Sequence, residues 1–394
     1  MKKVLKKVKN ENGSITSIVL VTILFFIIIL STALMVTSTQ RKSQLDSDLT
    51  LKQIYQRDVD NAGKIAEKLE TSVNIPIPKG YYFVGGTEKT GYVISDSQAD
   101  ENKYLEKSDV GRNLVGNQWV WVPVSNASSL YTKSATAVAL SGSTGVTTNK
   151  YTASGIISGQ SREKPGTTTE CREVDLVPEY DTDTTAANAG FSNVKNMAQT
   201  MSYEYNEMIN SIERYKGFYI GRYELTANGE KTGTPIAKTT WYDLYKKCKS
   251  LSINEQSKVR MIWGVQWDAT CSWLEKAGYN IKDSSKWGNY KNYNTANGYS
   301  SGDKGYVAEA GSAAPLNTGF SEYWKANNIY DFAGNCAEWT QEASKSSRLV
   351  RGGYFNTGSY LPASVRSIGY RPTTNLDIAL TTRGVLYIVP SIEN

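Results

Sequence analysis

The residues of this chain that could do chemistry are concentrated in NNIYDFAGNCAEWTQE, positions 327–342. Asp331 and Glu338 supply carboxylates, Gly334 permits a tight turn, and Cys336 places a thiol between them. Oxygen ligands around a glycine are typical of a loop that binds a hard cation such as calcium, and a thiol is a potential nucleophile. Three interpretations follow: a catalytic group, a structural ion site, or a tight turn within a core.

Histidine is absent from all 394 residues. Its absence excludes Ser-His-Asp and Cys-His catalysis, and also zinc or iron held by histidine. Any chemistry must therefore use carboxylates, Tyr, Lys, Arg or Cys. The cysteines have no CxxC spacing, so they either pair in one of three connectivities or are buried thiols. They are Cys171, Cys248, Cys271 and Cys336.

An uncharged segment near the N-terminus, positions 12–40, is long enough to cross a membrane. At about 1.5 Å per residue, a helix of this length exceeds the hydrocarbon core of about 30 Å. The lysines that precede it outnumber the basic residues that follow, which predicts a cytoplasmic N-terminus. We expect a basic leader at 1–12, a transmembrane helix at 13–40, and the rest of the chain outside a bacterial cell membrane.

An amphipathic stalk helix is expected at 41–73, because apolar residues recur there at helical spacing until the Pro76/Pro78 pair. The basic leader, NENG and the long helix resemble a type IV prepilin. Cleavage after Gly13 would make Ile18 the fifth residue, where most pilins carry Glu. Pilus subunits as partners and simple membrane anchoring both stay open.

A folded domain is expected at 74–394. The segments KGYYFVGGTEKTGYVISD and NQWVWVPV alternate as strands do, and a Ser/Thr/Gly-rich exposed insertion is expected at about 125–190. A helix should follow, with Gly217 as its stop and one buried face. That face comprises Met197, Met201, Met208, Ile212 and Tyr215. Most of the +6 charge lies in the first 12 residues, and no basic face with aromatics is present, so nucleic-acid binding is not expected.

Further segments follow in a fixed order. GFYIGRYELT at 217–226 predicts a strand, TTWYDLYKKC at 239–248 a capped helix, and RMIWGVQWDATCSWLEKAG at 260–278 a strand and then a helix. NIYDFAGNCAEWT and SRLVRGGYFNTGSYLPASVRS come next. This set resembles the formylglycine-generating enzyme (sulfatase-modifying factor) family, over about 215–390. The matching residues include Phe218, Tyr219, Tyr223, Glu224, Trp241, Tyr242, Asp243, Asn335, Trp339, Arg351, Gly352 and Gly353.

The resemblance implies an α+β domain with a variant of the C-type lectin fold. The family's sulfatase-modifying enzymes bind copper through two cysteines, whose places are taken here by Thr357 and Pro362. Without a thiolate pair no copper site is expected, and the family's histidine-ligated iron has no ligand here. The domain is therefore expected to be catalytically inactive, with a divergent oxidoreductase as the alternative.

The resemblance also implies calcium ligands within the opening stretch. They are the side chains of Asp331 and Glu338 and the backbone carbonyls of Gly334 and Cys336. The alternative is that Glu338 pairs with an arginine, for instance Arg351, while Asp331 only turns the chain. On either interpretation Cys336 is expected to be a small core residue.

The loops after the R-G-G strand are expected to form an exposed face rich in Tyr and Asn, residue types that serve recognition well. The predicted function is binding of an extracellular ligand, a glycan or a protein; the structural alternative is a minor pilin head that only packs against neighbours. The candidate residues are Tyr354, Asn356, Tyr360, Tyr370, Arg371 and Asn375.

Overall fold

The computed structural model describes residues 74–103, 114–125, 130, 136–139, 147–150, 173, 176–343, 346–358, 361–375 and 379–389. The predicted leader, transmembrane helix and stalk at 1–73 lie outside these ranges. Among the residues described, no helix combines the length and the apolarity that a membrane span requires.

The described residues form five α-helices and fourteen strands. The helices are α1 (Asp183–Asn188), α2 (Val194–Tyr215), α3 (Trp241–Lys249), α4 (Gly264–Lys276) and α5 (Tyr293–Asn297). The first seven strands are β1 (Tyr82–Gly85), β2 (Val93–Ser95), β3 (Gln118–Pro123), β4 (Thr136–Ala139), β5 (Thr147–Lys150), β6 (Gly217–Gly221) and β7 (Ser257–Met261). The others are β8 (Lys325–Ala326), β9 (Ile329–Tyr330), β10 (Ala337–Ala343), β11 (Arg348–Arg351), β12 (Arg366–Tyr370), β13 (Leu380–Thr382) and β14 (Gly384–Ile388). This mixture confirms the α+β class, while the lectin-like topology stays a prediction.

The larger sheet has six strands in the order β1-β2-β3-β6-β14-β7, with antiparallel neighbours throughout. The alternation seen in NQWVWVPV is the alternation of a strand with two different faces. Val120 and Val122 join the main apolar core with Phe218 and Ile220 of β6, while Trp121 packs edge-on against Tyr219. Both predicted strand segments before residue 125 are confirmed.

The smaller sheet has four strands in the order β12-β11-β10-β13. Its β10 pairs antiparallel with β11 and parallel with β13, so Glu338 lies beside both Arg351 and Thr381. A second apolar core, which includes Trp241, Trp339 and Val350, lies between this sheet and helix α3. Since the RGG segment follows β11 directly, this sheet positions both the carboxylate turn and the predicted binding loops.

Helix α2 buries all five residues of the predicted stripe. Its left-handed end is Lys216 (φ 60°), so the prediction that Gly217 ends the helix was off by one residue. Gly217 has another role, because a Cβ there would lie 2.3 Å from the Trp121 ring. Helix α3 begins as expected, with Thr240 and Asp243 forming a capping box.

Two elements have different bounds in the structure from those predicted from the sequence. The strand expected over 217–226 ends at Gly221, since the backbone from Arg222 onward turns toward the carboxylate cluster described below. The end of the expected insertion is packed: Leu176, Val177 and Ala186 are buried. The carboxylate of Asp181 binds Arg348 at 2.9 Å. Residues 176–190 therefore belong to the folded domain, whereas most of 125–175 lies outside the described residues.

Candidate functional site

The stretch that carries the candidate chemistry forms a tight turn between β9 and β10. Asp331, Gly334 and Asn335 all have positive φ, at 50°, 76° and 53°. A Cβ on Gly334 would lie 2.6 Å from the carbonyl oxygen of Asn289, so only glycine fits there. Asn335 fixes the turn from inside, because its side-chain oxygen accepts the Leu316 amide and its Nδ2 donates to the Leu316 carbonyl.

Arg383 is the cation of this region. Its guanidinium donates to both carboxylate oxygens of Glu338, at 2.7 and 3.1 Å, and to the backbone carbonyls of Gly221 and Tyr330. Both side chains are buried. The alternative of a Glu338–arginine pair is therefore observed, but the named partner was wrong: Arg351 instead binds Asp268 and Glu342, at 2.6 and 3.3 Å.

Three more buried carboxylates surround the Glu338–Arg383 pair, and we call these four acids and Arg383 the carboxylate cluster. Glu224 accepts the Cys336 amide at 2.8 Å and also the side-chain amide of Asn335. Asp331 accepts the Thr318 hydroxyl and the Gly319 amide through one oxygen. Glu230 accepts the Gly384 amide at 2.6 Å. The cluster thus carries more carboxyl groups than arginine charge.

Burial shifts the protonation equilibria of this cluster. It raises the pKa of Glu230 to about 8 and that of Asp331 to about 6, although Arg383 pulls both downward. Burial, together with the charges of Asp331 and Glu338, raises the pKa of Glu224 well above its usual range. The main physical cause is the loss of water around each carboxylate on burial, which disfavours its charged form.

Cys336 lies in the same turn and is buried, as expected of a core residue. Burial, followed by the nearby carboxylates, raises the pKa of its thiol. A thiol that stays protonated is a poor nucleophile. Cys248 and Cys271 are buried as well, while Cys171 lies outside the described residues.

The predicted calcium ligands fit a cation only in part. Asp331 keeps one buried oxygen that accepts no hydrogen bond from the described residues. Both oxygens of Glu338, however, are occupied by Arg383. Within the described ranges, no group of three or more His, Cys, Asp or Glu residues is arranged to hold a metal ion. Calcium binding stays a prediction.

Two of the predicted binding residues, Tyr354 and Tyr370, line one small surface pocket beside β11 and β12. Both are half-buried, and Tyr370 packs edge-on against Trp339, 6.0 Å between ring centroids. Asn356, Arg371 and Asn375 are exposed on the adjoining loops. Tyr360 lies outside the described residues. We call Tyr354, Asn356, Tyr370, Arg371 and Asn375 the tyrosine face.

Thr357 and Pro362, which occupy the cysteine positions of the resemblance, are both buried. The Thr357 hydroxyl donates to the Tyr354 carbonyl at 2.7 Å and accepts the Tyr354 amide at 3.1 Å. Thr357 therefore closes the turn that presents Tyr354.

Sequence reasoning gave Arg383 no role as a partner of Glu338 and missed Glu230 entirely. Glu230 lies in TANGEKTG, a polar segment that is typical of an exposed turn. The Thr226–Gly229 bridge folds this turn back. Gly221 and Gly384 leave room for the acid, since a Cβ on either would come within 2.2 or 2.7 Å of its carboxylate oxygens. The signal available in the sequence was the pair of glycines Gly221 and Gly384, at the end of β6 and the start of β14, which leave space for a larger side chain.

Comparisons with known proteins assign no family. No described protein family matches the chain, and no curated protein does either. Solved structures resemble it only loosely. Treponema denticola variable protein 1 is 14% identical with a TM-score of 0.30, over 45% of this chain and 85% of that one. The crystal structure of CarF gives 12% identity and a TM-score of 0.31, over 44% of this chain and 87% of that one. Scores this low allow at most a loose fold-level link.

Proposed function

We propose that this protein is anchored in a bacterial cell membrane and displays a catalytically inactive, formylglycine-generating-enzyme-like domain of C-type-lectin-like fold. The domain binds an extracellular ligand through the tyrosine face. The observation that carries the proposal is that Tyr354 and Tyr370, separated by 15 residues of sequence, line the same pocket. Tyr370 belongs to β12 and Tyr354 to the turn closed by Thr357. Half-buried tyrosines give contact area at a small entropic cost.

The non-catalytic part of the proposal rests on residue types. The chain has no histidine, and Thr357 and Pro362 replace the family's cysteine pair. The Thr357 hydroxyl is engaged in its own turn, and the pKa of the Cys336 thiol is raised by burial. A divergent oxidoreductase would instead take up copper or turn over a sulfatase-derived peptide. Detecting either activity would contradict the proposal.

Protein and glycan arrays probed with the full chain test binding directly. We expect a ligand whose affinity falls at least tenfold in the double variant Arg371→Ala/Asn375→Ala. Both positions are exposed, so folding should not change. The matched control is Lys195→Ala/Gln199→Ala, two exposed positions on α2, which should bind as the wild type does. Folded protein that binds nothing on either array would end the proposal.

The membrane anchor is tested separately. The full chain should sediment with membranes, and protease added to intact cells should remove the domain. The structural alternative, a minor pilin, is favoured only by the basic leader and the long helix that the sequence predicts for residues 1–73. Cleavage after Gly13 together with co-purification with filaments would support it, whereas a mature protein that keeps its leader would count against it.

Calcium is proposed as a structural ion held by Asp331, Glu338 and the carbonyls of Gly334 and Cys336. The unpartnered oxygen of Asp331 supports this, but Glu338 would have to share its carboxylate with Arg383. Calcium at 100 times its Kd would stabilise the fold by about 2.7 kcal/mol. Melting temperatures of the wild type and of Asp331→Asn, each measured in calcium and in magnesium, test the calcium proposal. Equal melting temperatures in the two ions would refute it.

A further inference from the structure

The pocket on the tyrosine face is small. Its cavity volume is about 20 Å³. Pockets that enclose a whole small molecule are far larger, usually about 300–1,000 Å³. Its lining combines the aliphatic residues Val350, Leu361, Val365 and Ala337 with two glycines, Ser367, Arg351 and the two tyrosines. A space of this size admits the end of one side chain rather than a whole ligand.

The only charged residue in the pocket lining is already neutralised. Arg351 donates to Asp268 and Glu342 and, through its third nitrogen, to the Ser364 and Val365 carbonyls. Arg366 binds the same two carboxylates, so two arginines balance two acids in a buried group. An incoming charge would lose its water and find no net counter-charge beneath it, which is costly.

Hydrogen-bonding groups are also few. Among the lining residues Ser367 carries the one aliphatic hydroxyl, and the other polar side chains besides Arg351 are the two tyrosines. A sugar ring presents several hydroxyls, and each buried hydroxyl without a partner costs about 1–3 kcal/mol. A branched aliphatic group incurs no such cost and gains about 0.8 kcal/mol for each buried CH₂.

We infer that the pocket receives the end of one uncharged aliphatic side chain, of leucine or valine type, from a polypeptide ligand. This rests on the proposed function and narrows it, since the class of ligand becomes a protein rather than a glycan. Tyr354 and Tyr370 flank the entering side chain, and the exposed Asn356, Arg371 and Asn375 contact the ligand around it. The aliphatic side chain acts as an anchor in a well-packed pocket, with polar contacts at its rim.

The test uses small probes on the full chain, followed by saturation-transfer NMR. N-acetyl-L-leucinamide carries the neutral side chain, and the α-amide of N-acetyl-L-aspartic acid carries a carboxylate at the end of a side chain of similar size. N-acetylglycinamide lacks the side chain, and methyl β-D-glucopyranoside represents a sugar. We expect the leucinamide to bind with a Kd near 1 mM, with transfer strongest to its methyl groups. The other three probes should bind at least fivefold more weakly.

Two substitutions locate the binding. Ser367→Phe fills the pocket from β12 and should abolish the leucinamide signal, and Ser367→Leu provides a smaller filling in case phenylalanine disturbs the fold. Lys195→Phe, at an exposed position on α2 that is outside the pocket lining, controls for an added surface aromatic and should leave binding intact. Wild-type melting temperatures would show that each variant is folded.

Several results would overturn the inference. They are preferential binding of the glucoside or of the probe with a charged side chain, no binding of the leucinamide, or binding that a folded Ser367 variant retains. The array experiment separates this failure from failure of the proposed function. An array ligand lost in Arg371→Ala/Asn375→Ala but unaffected by Ser367→Phe would refute only the pocket's occupant. Leucinamide binding without any array ligand would refute only the function.

Discussion

Glu230 offers a sharp test of the carboxylate cluster. Its carboxylate is buried between β6 and β14, accepts the Gly384 amide, and leaves its second oxygen without a partner among the described residues. Burial raises its pKa from 4.5 to about 8. Arg383 opposes this rise, and Glu338 reinforces it. The folded protein therefore holds a proton on Glu230 over a pH range in which the unfolded chain has released it.

The sign of the effect follows from proton linkage. A carboxyl group whose pKa is higher in the folded state lowers the stability as pH rises from its unfolded to its folded pKa. Each pH unit within that window costs up to about 1.4 kcal/mol. For Glu230 the window runs from 4.5 to about 8. The free energy of unfolding should therefore fall by about 2 kcal/mol between pH 6 and pH 8.

The substitution Glu230→Gln replaces the neutral acid with a neutral amide of the same size. Its free energy of unfolding should change less between pH 6 and pH 8, and it should exceed that of the wild type at pH 8. Urea unfolding at several pH values, followed by tryptophan fluorescence, measures this. Trp119 is a convenient probe, since its ring lies beside Gly384.

Glu255→Gln, at an exposed position, is the matched control and should keep the wild-type slope. A wild-type protein whose stability is level or rises between pH 6 and pH 8 would refute the reasoning. So would a Glu230→Gln variant that keeps the full wild-type slope, because the titrating group would then lie elsewhere.

Three further predictions concern Arg383, Gly353 and Cys336. Replacing Arg383 by Met should lower the free energy of unfolding by at least about 3 kcal/mol, because Glu338 is left buried without its partner; urea unfolding that matches the wild type would contradict this. Gly353→Ala should lower the melting temperature and reduce the free energy of unfolding by more than about 1 kcal/mol, since φ is 68° and a Cβ would lie 2.4 Å from the Leu361 carbonyl oxygen. Gly278→Ala is the control: its φ is also positive, but the space around it is open, so the free energy of unfolding should fall less. Iodoacetamide should label Cys336 only after unfolding, because burial raises the pKa of its thiol; fast labelling of the native protein, read by mass spectrometry, would show that the turn opens.

Helices and strands were predicted well from the sequence where one local feature, such as an apolar stripe, a helix cap or strand alternation, was clear. The Met197–Tyr215 stripe, the Thr240 cap and the alternation around Trp119 each predict one element, and each is observed. Such signals depend on neighbours in sequence, which periodicity and capping report directly. The extent of the strand beginning at Gly217 was less predictable, because the turn at Arg222 depends on contacts with distant residues such as Gln118 and Asn328.

The candidate site was predictable only in part. The RGG segment indicated which loops would follow the strand, and Tyr354 and Tyr370 do line one pocket. The partner of Glu338 was not predictable, because Arg383 reaches it across 45 residues of sequence and Arg351 was an equally plausible cation. Glu230 was hidden since its polar neighbours indicated an exposed turn. Long-range charge pairing is not encoded in local spacing.

The central claim is that this protein recognises its ligand through the tyrosine face. Hydrogen exchange measured by mass spectrometry, on the full chain with and without the ligand found on the arrays, tests it most directly. Bound ligand should slow exchange in peptides covering residues 350–358 and 366–375 and leave helix α2 unchanged. Protection confined to other segments, with these two unchanged, would contradict the claim.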